Sequence, residues 1–219
     1  MSKGTGSISE IRRKVTKTHE FIYTSYHEAG HVIYALLHLM KVSSVFIAED
    51  KKRTQGLACY DTPGDLNVLE DPELINILIK AEIGVSYAGL IAERALFKSI
   101  SGSRKIPTFI DGATEDNKCA RNAIEKYNLA PPGPKRKAFK QKLMREVQNE
   151  LYTHWDAVTL IAHALFHRRR LKFEDIQTIL IKKSRNKKFW KDQFKKINHY
   201  HNNCEVLDEK DLKSIILKI

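Results

Sequence analysis

The stretch from Phe21 to Met40 constrains this chain more than any other, because it combines a helical apolar period with a short histidine motif. Its apolar residues recur at the spacing of one helix face. They are Ala29, Val32, Ile33, Leu36, Leu37 and Met40. Within the same stretch, His27 and His31 stand four residues apart, so on a helix their Cβ atoms lie about 5–6 Å from each other. We therefore predict a helix over 21–40 that can hold one metal ion between the two histidines.

Glu28 follows His27 directly and lies about 100° further around the predicted helix. From there its carboxylate can reach a water on the metal without binding the ion. Two imidazoles with an adjacent carboxylate are the arrangement of zinc peptidases, in which the carboxylate is the general base. The alternative is a core helix with two histidines of purely structural role. His38 lies about 10 Å further along the axis, too far to share the ion, and we interpret it as structural.

Composition limits the kind of protein and the compartment in which this motif is expected. With 219 residues and a hydrophobic fraction of 42%, the chain can bury the core of one domain. We expect no membrane span, because Lys80 and Glu82 interrupt the longest apolar run. The start lacks a signal-peptide core, and the three cysteines show no paired spacing, which is typical of a reducing compartment. We expect a cytoplasmic protein, although the basic, Ser/Thr-bearing start leaves organellar import open.

The chain as a whole predicts a mainly α fold with a small β-hairpin or sheet. Asp71-Pro72 marks the start of a long helix, with Asp as cap and Pro at the first helical position. A Pro-Pro-Gly-Pro sequence at 131–134 is a hard break. The predicted elements are helices at 21–40, 72–97, from Gly112, over 136–168 as one or two helices and at 173–181, strands at 42–48 and 55–60, a charged turn at 50–53 and a loop at 99–107.

These elements suggest three parts of unequal size. Residues 1–20 are interpreted as a flexible basic N-terminus, 21–181 as a zinc peptidase domain and 182–219 as a basic C-terminal extension. The net charge of +12 is compatible with an anionic partner but also with simple solubility. Charge alone therefore does not decide a function.

A catalytic zinc usually takes three protein ligands, so the two motif histidines need a third. The continuation that supplies a third histidine in metzincins is absent, since Tyr34 and Leu37 stand at its positions. The acidic candidates are Glu82, Glu93, Asp111 and Asp116. From the residues alone, we slightly favour the explanation that Asp116 is a carboxylate stabilised by the N-terminal end of its helix. The third ligand stays open at this point.

Four segments resemble, in sequence order, the peptidase domain of the FtsH-type ATP-dependent zinc proteases. They are Tyr-His-Glu-Ala-Gly-His at 26–31, Ala88-Gly89-x-x-Ala92-Glu93, Gly112-Ala113-x-x-Asp116, and Trp155-x-x-Val158-x-x-Ile161-Ala162 followed by Leu171 and Glu174-Asp175-Ile176. The resemblance covers about residues 20–180. It implies an FtsH-protease-domain-like helical zincin with one Zn²⁺ per chain, held by His27, His31 and Asp116, and with Glu28 as base. Glu93 is then expected to be a buried, paired carboxylate or to orient a metal-binding histidine through a hydrogen bond, without binding the ion itself.

The chain also departs from that family. It lacks the phosphate-binding sequence G-x-x-x-x-G-K-[ST] of the family's ATPase module, and Asp111 and Glu115 stand where the family often has Ser or Thr and Asn. We expect a free-standing metalloendopeptidase that hydrolyses unfolded or flexible polypeptides without ATP of its own. A separate ATPase partner or a homo-oligomer stays open. The predicted substrate-binding residues are those of the second strand, since an extended peptide can pair with a strand edge: Gly56, Leu57, Ala58, Cys59 and Tyr60.

Three alternatives compete with this interpretation. The first is an inactive, zinc-binding FtsH-like adaptor. The second is a nucleic-acid-associated protein, because lysines between 182 and 201 interleave with Phe189, Trp190 and Phe194. We favour a solvated helix face with an aromatic anchor for that segment. The third is a second metal site at His163 and His167, which have the right spacing but no adjacent glutamate, so we favour a polar helix face.

Overall fold

The structure, a computed structural model, describes residues 8–49, 54–62, 69–101 and 112–202, together with Lys213. It is mainly helical (76% helix) with a three-stranded antiparallel sheet, which confirms the predicted class. The described elements are α1 (Ile8–Leu37), β1 (Lys41–Glu49), β2 (Thr54–Asp61), α2 (Pro72–Ser101), α3 (Gly112–Lys126), α4 (Pro134–Thr153), α5 (Trp155–Arg168), β3 (Arg170–Lys172), α6 (Phe173–Lys183) and α7 (Lys187–Asn202).

The motif helix α1 lies at the centre of the core. Its predicted apolar face is enclosed, with all six side chains at most 3% exposed. The helix begins at Ile8 rather than near Phe21, so residues 8–20 are helical where we expected a flexible start. That segment contains neither proline nor glycine, the residues that most readily end a helix. The helix ends at Leu37, before the predicted Met40, because Leu39 turns into the left-handed region with φ 61°.

Helix α2 packs antiparallel along α1 and covers the side that carries the histidines. It begins as predicted, since Asp71 Oδ1 accepts hydrogen bonds from the backbone N–H groups of Glu73 (2.9 Å) and Leu74 (3.1 Å). It continues to Ser101, beyond the predicted end. The two helices approach closely at Gly30, where an added Cβ would lie 2.5 Å from the carbonyl oxygen of Ala88. Glycine is required there because no side chain fits.

Part of α2, Pro72–Ile100, is long and apolar enough to cross a membrane by length and composition. Lys80 and Glu82 therefore do not remove this helix as a candidate by length and composition, and the expectation of no membrane span stays untested. In the structure, 67% of its most apolar window is buried inside the protein. That burial is the pattern of a core helix.

The predicted β-hairpin is present, and a third strand joins it. β1 and β2 pair antiparallel from Lys41↔Asp61 to Glu49↔Thr54. β3 pairs with the other side of β1, so the order is β2-β1-β3. β3 was not predicted, because three residues are too few to show a period. Within the described residues, β2 is therefore an edge strand.

The basic C-terminal segment contributes to the core as far as it is described. Helix α7 buries Trp190, Phe194 and Ile197. Its Gln193 side chain donates hydrogen bonds to the carbonyl oxygens of Leu36 (2.7 Å) and Leu37 (3.0 Å) in the last turn of α1, where Leu36 also accepts from the N–H of Leu39. Residues 187–202 of the predicted extension thus pack against the motif helix and cap it.

The other predicted elements are confirmed, corrected in their bounds or left untested. The segment 136–168 forms two helices, α4 and α5, which meet at His154. Residues 99–101 of the predicted loop belong to α2. The charged turn at 50–53, the rest of that loop and the chain beyond 202 lie outside the described residues, apart from Lys213, whose ammonium pairs with Asp71 at 2.9 Å.

Candidate metal centre and its cleft

The motif residues form the floor of a cleft of about 800 Å³ between α1, α2, α3 and β2. His27, Glu28 and His31 are only 6%, 5% and 7% exposed, because α2 and β2 cover the helix side on which they lie. One ligand atom from each of the three lies within 4.8 Å of the others. The described residues therefore contain a buried group that could hold a metal ion.

Asp116, on α3, brings its carboxylate to the same point. Its Oδ2 lies 2.9 Å from His27 Nε2 and 3.4 Å from His31 Nε2. In a tetrahedral site with bonds of about 2.0–2.1 Å, neighbouring ligand atoms are about 3.3 Å apart. The two distances from Asp116 Oδ2 to the ring nitrogens suit a zinc ion of that geometry.

The outer ring nitrogens fix which tautomer each imidazole adopts. His27 Nδ1 faces Glu93 Oε2 at 3.2 Å, and His31 Nδ1 faces the carbonyl oxygen of Val85 at 2.7 Å. Both partners are acceptors, so each Nδ1 carries the proton and donates it. When both rings are neutral, each presents its Nε2 lone pair to the carboxylate of Asp116. Two lone pairs and an anionic oxygen converge, and such an arrangement requires a cation.

The pKa shifts of His27 and Asp116 indicate the same requirement for a positive charge. Burial lowers the pKa of His27, but its hydrogen bonds with Asp116 and Glu93 outweigh burial and raise the pKa to about 10. Burial raises the pKa of Asp116, yet its bonds to the two imidazoles hold it well below the usual value. A proton can meet the demand for positive charge, and a metal ion that binds here has to displace it.

Gly89 on α2 leaves the room that an ion needs. A Cβ added at this residue would lie 2.5 Å from His31 Nε2 and 2.6 Å from His27 Nε2. The two nitrogens therefore point at one of the two positions on α2 that carry no side chain, the other being Gly84. This is a cradle that any larger residue would fill.

Glu28 belongs to the group but is held differently from Asp116. Its carboxylate accepts a hydrogen bond from the backbone N–H of Ala58, and Gly56 leaves it room on β2. Burial raises the pKa of this carboxyl above its usual value, although the imidazoles oppose the effect. Asp116 Oδ2 touches both ring nitrogens, whereas Glu28 is held by the edge strand. Asp116 is therefore better placed than Glu28 to share an ion with both imidazoles.

The other predicted site residues lie where the strand and helices place them. Gly56, Leu57, Ala58 and Tyr60 line the cleft, whereas Cys59 is not among its described lining residues. Of the other candidate third ligands, Glu93 contacts the outer nitrogen of His27, and Glu82 lines the cleft without pairing with either imidazole in the described structure. Asp111 lies outside the described residues.

The remaining histidines lie elsewhere. His38 pairs with Glu150 of α4 at 2.9 Å, in keeping with a structural role. His163 and His167 have ring nitrogens 3.2 Å apart on the exposed side of α5. No third metal-binding group joins them among the described residues.

The aromatic rings of the basic segment are largely unavailable for stacking on bases. Trp190 and Phe194 are 0% and 1% exposed, while the lysines around them are mostly exposed. The structure thus agrees with an aromatic anchor beneath a solvated lysine face. Phe189 is half-buried and stacked on His154, so this helix offers a nucleic acid phosphate contacts rather than free aromatic faces.

Sequence reasoning missed the backbone groups that complete the centre. The carbonyl of Val85 and the N–H of Ala58 carry no side-chain signal, so only the fold shows that they contact His31 and Glu28. The cleft residues Tyr23, Thr24 and Ser86 were also not predicted. The helical spacing of Tyr23, Thr24, His27 and His31 on α1 could have indicated the first two.

Comparison of the sequence with models of known protein families gives no match, and comparison with curated proteins gives no significant match.

Proposed function

We propose that this chain is a zinc-dependent metalloendopeptidase, of the type represented by the FtsH peptidase domain, that hydrolyses peptide bonds in unfolded or flexible polypeptides. The observation that carries the proposal is the convergence of His27 Nε2, His31 Nε2 and Asp116 Oδ2. Two imidazole nitrogens and a carboxylate oxygen are a common donor set of catalytic zinc sites. It is also the set that the resemblance in sequence implies.

The chain's own residues account for the proton transfers. A zinc ion held by these ligands would acidify a water molecule and polarise the scissile carbonyl. Glu28 takes the proton of the attacking water on its carboxylate and later delivers it to the leaving amine. The Ala58 N–H keeps that carboxylate oriented, and Glu93 and Val85 keep the imidazoles in the tautomer that leaves both Nε2 atoms free.

Strand β2 offers a means of binding an extended substrate. It pairs with β1 on one side and lines the cleft with the other. The Ala58 N–H points to Glu28, away from β1, so alternate residues of β2 direct backbone groups into the cleft. A peptide in extended form can pair with such an edge. Leu57, 51% exposed at the lip of the cleft, adds an apolar contact.

The Glu28→Gln variant tests the proposal. The wild-type protein, loaded with zinc, should cleave a reduced and alkylated protein substrate, and a chelator should stop the reaction. Glu28→Gln should retain one zinc per chain and the fold but lose about 10²–10⁴-fold in rate, because an amide cannot accept the proton. Glu174→Gln, at an exposed position of α6, makes the same charge change away from the cleft and should cleave normally.

Two outcomes would contradict the proposal. Undiminished cleavage by Glu28→Gln would remove this residue from the mechanism. Zinc binding without cleavage by either protein would instead indicate a zinc-binding domain that has no peptidase activity, such as an adaptor.

A further inference from the structure

The charge of the cleft is opposite to that of the chain. The protein carries 38 lysines and arginines against 26 acidic residues. Yet the described residues that line the cleft include no lysine or arginine. They do include six carboxylates: Glu20, Glu28, Glu82, Glu93, Glu115 and Asp116. A divalent ion would offset two of these charges, so the described lining stays strongly negative.

Three of these carboxylates have no part in the chemistry proposed above. Glu28, Glu93 and Asp116 contact the metal centre, which leaves Glu20, Glu82 and Glu115. Glu115 is exposed and pairs with Lys118 at 3.2 Å, so solvent and this partner weaken its field. Glu20 and Glu82 are half-buried, and no hydrogen bond or ion pair of their carboxylates occurs within the part of the chain that the structure describes.

Glu20 and Glu82 lie at opposite ends of the cleft. Because α1 and α2 are antiparallel, Tyr23 lies beside Phe97, with ring centroids 6.4 Å apart, whereas Tyr34 lies against Gly84. The contacts of the metal centre, His27 with Glu93 and His31 with Val85, fall between them. Glu20 therefore lies toward one end of the proposed reaction centre and Glu82 toward the other.

The surroundings of Glu82 suit the side chain of a lysine or arginine. Ala123, which is half-buried, lines the cleft nearby and can pack against a methylene stem, while the carboxylate meets the charged head. The field of Glu82 reaches Tyr60, whose pKa is raised to about 12, mainly by burial. Tyr60 thus stays neutral and adds no charge of its own. Lys126, whose charge also reaches Glu82, is stacked over Tyr127 at 4.8 Å.

We propose that the cleft selects cationic stretches of polypeptide, with Glu82 and Glu20 each receiving a lysine or arginine side chain on opposite sides of the scissile bond. The identity of the reaction rests on the proposed function, whereas the preference for positive charge rests on the cleft alone. Walls of low dielectric constant strengthen the field of unpaired carboxylates and raise the local concentration of cations. The basic outer surface does not compete for such segments.

Matched peptides test the proposal by hydrolysis. A quenched fluorogenic peptide is made with a single lysine, glutamine or glutamate at each position around its cleavage site. The wild type should show kcat/KM about tenfold higher for lysine than for glutamine at one position on each side, which corresponds to about 1.4 kcal/mol. Glu82→Gln should abolish this ratio on one side only, and Glu20→Gln on the other, whereas Glu174→Gln should keep both ratios. Two results would overturn the proposal. One is equal kcat/KM for the lysine and glutamine peptides in the wild type, and the other is a lysine preference that stays unchanged in both cleft variants.

A binding measurement separates this proposal from the peptidase assignment. Zinc-loaded Glu28→Gln protein is titrated into the same peptides, labelled for fluorescence anisotropy. The lysine peptide should bind about tenfold more tightly than the glutamate peptide, and adding Glu82→Gln should reduce that difference. If wild-type protein cleaves nothing but this difference persists, only the peptidase assignment fails. If the lysine and glutamate peptides bind equally, the selection of cations fails, whatever the enzyme cleaves.

Discussion

Because Gly89 has no side chain, it leaves space beside the two histidines of the candidate metal centre. An added Cβ would lie within 2.6 Å of the Nε2 atoms of both His27 and His31. Gly89→Ala should therefore weaken zinc binding by about 10–100-fold or more, as expected when the ligands lose their geometry. Equilibrium dialysis with a competing chelator measures this affinity directly.

The matched control for that variant is Gly133→Ala. A Cβ at Gly133 meets nothing within 4 Å, although its φ of 89° makes any side chain strained. This variant should lose about 1 kcal/mol of stability and keep its zinc affinity. Zinc affinity in Gly89→Ala equal to that of wild type would show that the ion, if any, lies elsewhere.

At the residue scale, sequence reasoning reached the side chains but not the backbone. His27, Glu28 and His31 follow from helix spacing, and Asp116 from a resemblance, since nothing local fixes a ligand that is 89 residues away. The structure brings these four together. The carbonyl of Val85 and the N–H of Ala58 could not be predicted, because every residue has such groups and only the packing of α2 and β2 selects these two.

At the scale of elements, α7 should be needed for the stability of the motif helix. Gln193 donates to two carbonyl groups at the end of α1 from a buried position. Gln193→Leu should lower the free energy of unfolding by about 1–3 kcal/mol, because the Leu37 carbonyl loses this donor and the Leu36 carbonyl keeps only the N–H of Leu39. Urea titration measures the change. As a control, Gln141→Leu at an exposed position of α4 should change the free energy of unfolding by less than about 0.5 kcal/mol. Equal effects of the two substitutions would show that α7 does not cap α1.

The contact of His154, between α4 and α5, with α7 should make the stability of the protein depend on pH. His154 stacks on Phe189 (4.7 Å between ring centroids) and lies 5.6 Å from Trp190, and burial lowers its pKa despite Asp156 and Glu150. Because the folded pKa lies below the unfolded value of about 6.5, the unfolded chain binds the proton more readily. Stability should therefore fall as the pH drops from about 7 toward 5. Urea unfolding of wild type and His154→Gln should show a smaller fall in the variant, and equal falls would exclude His154 as a cause.

The predictability of each element depended on its length. Long periodic segments such as α2 were found from sequence, with ends that differ by a few residues, because burial decides how far a helix continues. β3 is only three residues long and was missed. Residues 8–20 and α7 look polar in sequence, yet one extends α1 and the other uses a few apolar residues to pack on it.

For the molecule as a whole, charge is divided between the surface and the cleft. The chain has a net charge of +12, while the described lining of the cleft is acidic. Composition alone predicted an anionic partner as one interpretation, because it averages over the surface and cannot show which charges share a cavity. The mainly helical class followed from periodicity, but the meeting of α1, α2, α3 and β2 around one point depends on long-range packing.

The central claim is that one zinc ion binds between α1 and α3, and anomalous diffraction at the zinc edge of zinc-loaded crystals tests it most directly. We predict a single strong peak within about 2.0–2.2 Å of His27 Nε2, His31 Nε2 and an Asp116 carboxylate oxygen. A peak at His163 and His167 alone, or no peak at the motif in fully loaded protein, would contradict the assignment of the metal centre.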